Sequence, residues 1–140
     1  MELADYHAVL ALWRRSDGIG LSEADRRPAI AAYLRRNRGM SFVVIAGGRI
    51  IGAVLCGHDG RRGYLHHLAV APAWRRRGIG RALVDAALAR LAKAGIVKCN
   101  LFLFEDNIGG RAFWLTRGWK ARPDLIFMQK RVRRPSRSAC

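Results

Sequence analysis

A chain of 140 residues is long enough for one domain with a sizeable core and too short for two. Just over half of it is apolar (51%), which argues against a disordered body, and no run of about eighteen apolar residues exists to span a membrane. The charge is lopsided, 26 Lys and Arg against 10 Asp and Glu for a net +16, and predicts attraction to polyanions. Arg14–Arg15, Arg26–Arg27 and the cluster Arg35, Arg36 and Arg38 carry part of that excess. Nucleic-acid or ribosome contact therefore stands beside a plain arginine-rich surface. Glu2 and Asp5 stand where a signal peptide would carry basic residues, and Cys56, Cys99 and Cys140 are odd in number without metal-ligand spacing. The expectation is a reducing, cytoplasmic setting and no metal.

In chain order, Leu3, Val9, Leu10 and Trp13 fit one face of a first helix ending near Arg15. Ser22-x-x-Asp25 reads as a capping box for a second helix through Arg36, although Pro28 implies a late or irregular start. Phe42 to Ala46 is strand-like, Gly47-Gly48 suits a two-residue hairpin turn, and Ile50 to Leu55 returns antiparallel. Asp59-Gly60 turns the chain into a third strand, Tyr64 to Val70. A long helix follows from about Arg76 to Lys93, stopped by Gly95. Ile96 to Phe104 reads as a strand, Asn107 as the cap of a helix to about Thr116, and Trp119–Ala121 with Leu125–Arg131 as a last strand pair. Phe113, Leu115 and Trp119 are expected in the core. Residues 133–140 hold nothing to bury and are expected to form a disordered basic tail beyond a domain at 1–132. The order is α+β (α/β mixed) around a mixed, mostly antiparallel sheet with about four helices.

The stretch from Leu68 to Leu83 carries the chemistry. An apolar strand runs into Pro72, a turn carries Arg75, Arg76, Arg77, Gly78 and Gly80, and Leu83, Ala87, Leu88 and Leu91 then recur at helical spacing. A glycine-bearing turn that opens a helix presents unpaired amides and the positive end of the helix dipole, which together suit a phosphate. Arg75-x-x-Gly78-x-Gly80, with Leu68, Val70 and Pro72 in register upstream, resembles the acyl-CoA-binding signature of the GNAT superfamily of N-acetyltransferases. The element order resembles that family over nearly the whole chain. It departs at the start, where little precedes Leu3 and GNAT domains usually open with a strand. Either that strand is vestigial or the true start lies upstream. Leu12-Trp13, the turn Asp59 to Gly63 and the closing Met128 to Arg131 resemble the small bacterial YpeA-like branch more narrowly.

The resemblance implies a GNAT fold whose splayed strands form an acetyl-CoA cleft, between the strand at Leu68 and that at Leu101. It implies direct transfer to a primary amine, of a small molecule or a protein N-terminus such as that of a ribosomal protein. It further implies that the amides of Leu68, Ala69 and Val70 meet the pantetheine and the acetyl carbonyl, the side chains of Leu68 and Val70 being core. The segment Arg75, Arg76, Arg77, Gly78, Ile79, Gly80 and Arg81 would hold the phosphates, with Asn107 bonding the pantetheine. Family members often form homodimers, which no feature marks here.

A base is needed because an ammonium has no lone pair, and the strand offers Tyr64, His66 and His67. Alternation along a strand puts His66 on the face of Tyr64, so only one histidine is expected to meet the acceptor, and His66 matches the position used by histidine-based relatives. The family's thiolate-protonating Tyr is replaced by Trp114 in Asn107…Ala112-Phe113-Trp114…Gly118-Trp119. The thiolate then leaves unassisted, Tyr64 substitutes, or the protein binds acyl-CoA without efficient turnover. A basic nucleic-acid-binding module is a further alternative. Cys99 reads as a structural thiol, and Glu105-Asp106 could orient a cationic acceptor.

Overall fold

The computed structural model describes residues 1–133. The elements are α1 (Tyr6–Arg14), α2 (Arg27–Arg36), β1 (Phe42–Ala46), β2 (Arg49–His58), β3 (Gly63–Val70), α3 (Ile79–Lys93), β4 (Cys99–Asn100) and α4 (Ile108–Thr116). The chain divides into two compact units, 1–107 and 108–140. The expected tail lies outside the described residues apart from Arg133. Among the described residues no helix is long and apolar enough to cross a membrane.

In the first unit the sheet order is β1-β2-β3-β4, antiparallel except for the parallel β3–β4 pair. Gly47 and Gly48, at φ 56° and 74°, make the β1–β2 turn as expected, because that turn twists with the strands only at positive φ. One face of the sheet packs on α1 and α2, where Tyr6, Val9, Leu12, Trp13 and Ile30 meet Ala53, Leu55 and Ala69. The other face meets α3. Leu83 and Ile79 approach Gly52, the Cys56 thiol points to the Ala87 carbonyl, and Leu91 lies over Gly63. Each large side chain sealed here is worth about 1.5–3 kcal/mol.

The capping box forms, but on a single 3-10 turn, Glu23–Asp25. Pro28 starts α2 only afterwards, since a proline is tolerated in the first turn of a helix and not inside it. The strand expected over Ile96–Phe104 shrinks to Cys99–Asn100, two rungs opposite Gly63 and Tyr64. Beyond Asn100 the chain peels away toward the α1–α2 loop, where Phe104 seats against Gly20 with no room for a Cβ (2.7 Å). The terminal strand pair also fails to form. Pro123 has no amide to offer a ladder, and Arg122–Leu125 is a turn closed by the Arg122–Asp124 ion pair at 2.8 Å. Leu125 to Met128 have strand-forming side chains but no neighbouring strand among the described residues, and are exposed.

In the second unit α4 closes with paired amide bonds from Gly118 to Leu115 and from Trp119 to Trp114. Its buried residue is Trp114, not Leu115, which is exposed; Phe113 and Trp119 are half-buried. The core expected at 113, 115 and 119 is thus shifted onto the indole between them.

Candidate functional site

The site is organised by an irregularity in β3. Ala53 pairs with Ala69 and Leu55 with His66, so β3 carries one residue more than β2 across this interval. That is a bulge, and His67 sits in it at φ 53°, left-handed backbone that a non-glycine residue rarely adopts. The bulge has two consequences. Before it, the Gly63 amide bonds the Lys98 carbonyl on the β4 side; after it, the Ala71 amide bonds the Ile51 carbonyl on the β2 side. The parity of the strand has inverted, so by alternation the amides of Leu68 and Val70 face away from β2. β4 has ended by then, at the Tyr64–Asn100 rung, and on that edge β3 runs on with no strand beside it among the described residues.

The second consequence concerns the histidines. The expectation that they point to opposite faces is wrong, because the extra residue breaks the alternation. His66 lies 6.4 Å from the Tyr33 ring of α2, and His67 lies 4.9 Å from the Trp13 ring of α1 and bonds the Asp25 carboxylate at 2.8 Å. Both therefore meet the same helical layer. The shared face of Tyr64 and His66 holds, with their rings parallel to 4° at 6.2 Å, and Phe102 continues the row at 6.2 Å from Tyr64.

Burial holds the His66 imidazole below its ordinary pKa; the neighbouring His67 adds to this and Asp25 opposes it. Its neutral, proton-accepting form is thereby favoured. Burial lifts the Tyr33 phenol well above the ordinary range, and its hydroxyl has no hydrogen-bond partner among the described residues. Tyr64 is half-buried. Cys99, also half-buried, has a thiol pushed up to about 11 by burial, poorly suited to nucleophilic work.

At the end of β3 the chain turns into α3. Arg76 (φ 60°) and Gly78 (φ 78°) both take left-handed backbone, and Gly78 is the N-cap of α3. A side chain at Gly78 would meet nothing within 4 Å, so the glycine serves the backbone angle. The first helical bond runs from the Ala82 amide to the Gly78 carbonyl, which leaves the amides of Ile79, Gly80 and Arg81 outside the helical ladder. Arg75 bonds the Val70 carbonyl through Nε (3.1 Å), Arg77 lies 4.8 Å over the Trp74 ring, and Arg81 sits 3.9 Å from Asp85, all in exposed positions.

Residues 6–119 match the acetyltransferase (GNAT) family. The chain belongs to that family. An acetyltransferase of Pectobacterium atrosepticum is 35% identical over 103 residues, 74% of this chain and 72% of that protein. A PaiA N-acetyltransferase of Thermoplasma acidophilum, solved in complex with coenzyme A, aligns with a TM-score of 0.75 at 19% identity over 87% of each chain. The ribosomal-protein-S18-alanine N-acetyltransferase of Escherichia coli aligns with a TM-score of 0.66 at 21% identity, over 84% of this chain and 73% of that one. At these identities the two structures speak for the fold. Family membership makes the chain an N-acetyltransferase that draws on acetyl-CoA.

The GNAT chain's own donors suit that co-substrate. The amides of Leu68 and Val70 face away from β2, and the three amides opening α3 lie outside the helical ladder among arginines, which is donor chemistry of the kind that carbonyl and phosphate oxygens accept. Asn107 precedes α4, and its side chain lies over the α1–α2 loop, 2.7 Å from where a Cβ on Gly18 would stand. Trp114 is buried against Phe113 and Trp119, at ring distances of 5.0 and 4.9 Å. Sequence reasoning missed two residues of this neighbourhood, Asp25 and Tyr33. Asp25 was visible only as part of a helix cap, and Tyr33 only as a position inside the expected second helix.

Proposed function

We propose that the chain acetylates a primary amine by direct attack in a ternary complex, with His66 as the base. Acetyl-CoA supplies an acetyl group activated as a thioester, which the amine nitrogen takes as the thiolate leaves. His66 would remove the ammonium proton; its depressed proton affinity keeps it neutral near pH 7, where base catalysis is typically worth ~10²–10⁴-fold. The amides of Leu68 and Val70 would donate to the carbonyl oxygen as negative charge builds there. The amides of Ile79, Gly80 and Arg81, with Arg76 and the partly engaged Arg75 and Arg77, would take the phosphates. Trp114 has no hydroxyl to protonate the thiolate. With a thiol of ordinary pKa near ~8.5 that group departs without an acid, or Tyr64 supplies the proton.

The observation that carries this reading is the β4-side edge of β3, which is bulged at His67 and has no strand on that side beyond Tyr64 among the described residues. The aromatic row from Tyr33 of α2 through His66 and Tyr64 of β3 to Phe102 supports an acceptor reaching the base from the helical side. The acceptor is a small amine or a protein N-terminus, a ribosomal protein among them, and two free cysteines among the described residues accord with a cytoplasmic setting.

The test is a transfer assay with acetyl-CoA against amines, amino acids and peptide N-termini, following thiol release and acetylated product by mass. Turnover with at least one amine, lowered about 10²-fold or more in His66→Gln, is the expected result. Equal turnover by His66→Gln removes that residue from the reaction.

A further inference from the structure

We propose that Asp25 and His67 form a side-chain clamp that sets the β3 bulge, so that His67 positions the Leu68 and Val70 amides. The proposal rests on the reading of β3 given above and adds a role to a residue pair that reading leaves idle.

The geometry is that of a tied-down strain. His67 holds left-handed backbone (φ 53°), which a non-glycine side chain adopts at a cost and keeps only where surroundings impose it. Two contacts impose it here. Its Nε2–H donates to Asp25 Oδ1 at 2.8 Å, and its ring packs edge-on against Trp13 at 4.9 Å. Asp25 is in turn buried and bonded on both sides. Its Oδ2 accepts the Ser22 amide at 2.9 Å, its carbonyl accepts the Tyr6 hydroxyl at 2.7 Å, and only 7% of the residue is exposed. The anchor therefore reaches α1 through Tyr6 and Trp13. What it anchors is the one residue at which β3 changes parity, and the parity decides which amides face the open edge. With Nε2 committed to Asp25, Nδ1 is the ring nitrogen of His67 left to accept a proton, so the role of the residue is decided by the variants below.

Glycine separates the two roles, because it takes a positive φ without any clamp. His67→Ala, His67→Gly and the wild type are compared well below each protein's melting temperature, in kcat, KM for acetyl-CoA and the pH profile. A clamp predicts kcat at least tenfold higher in His67→Gly than in His67→Ala, with the acid limb of the profile retained and at the same pH in the two variants. Equal rates in the two variants, whether both low or both high, overturn it. A second readout needs no turnover: backbone chemical shifts of residues 67–70 keep the wild-type pattern in His67→Gly and lose it in His67→Ala. Should the wild type transfer acetyl to no amine, the functional reading fails alone and these shifts still decide the clamp; the same shifts in both variants overturn it.

Discussion

His66 is the residue on which pH acts most directly. Its proton affinity in the folded chain is depressed, chiefly by burial, relative to an unfolded value near ~6.5. Above that value the side chain is neutral in both states and the favourable contribution is fully present. As pH falls the unfolded chain takes the proton first, so the contribution is lost as pH drops through the folded value. The acid limb of kcat/KM is accordingly expected below ~6.5, and to vanish in His66→Gln; a limb above 6.5 in the wild type contradicts the assignment. Residue-level chemistry was partly legible. The pair Tyr64 and His66 on one face follows from strand alternation, and the rings stack as that predicts. The Asp25–His67 contact was not legible, because it joins residues 42 positions apart and local pattern carries no such information.

At the scale of elements, the turn into α3 is the part read most fully from sequence. Glycines, arginines and the helical apolar repeat all lie within one stretch, and the structure assembles them in that order. Gly78→Val forces a β-branched side chain onto φ 78° at the N-cap, where it meets open space and so strains the turn alone. The expected result by calorimetry is acetyl-CoA affinity lowered tenfold or more with the far-UV spectrum retained, and unchanged affinity counts against the phosphate site. The bulge in β3 was not readable, since Leu65 to Val70 shows nothing that marks one extra residue. It changed the conclusion about the histidines. The expected strands at Ile96–Phe104 and after Trp119 failed for a related reason. Apolar and β-branched side chains report a propensity, while a strand exists only where a neighbour supplies its rungs.

At the scale of the whole molecule, the first unit holds together through a core on each face of one sheet. Leu12 is fully buried between α1 and that sheet. Leu12→Ala is expected to cost about 2–5 kcal/mol of unfolding free energy in a denaturant titration, against less than about 0.5 for the exposed Ala11→Ser. Equal midpoints would mean the α1 face is not the core described. That this would be an α+β domain on a mixed sheet was legible from element order. The division into units at 107 was not, because Asn107 and Ile108 differ from their neighbours in no composition or charge that marks a boundary.

The arrangement as a whole comes down to whether the unpaired amides of β3 and those opening α3 are the ones that receive the co-substrate. Backbone amide shifts followed while coenzyme A is titrated into the labelled chain test this most directly. The account expects the largest changes at Leu68, Val70 and Ile79 to Arg81. Changes confined to other elements, with these five amides unmoved at saturation, would contradict it.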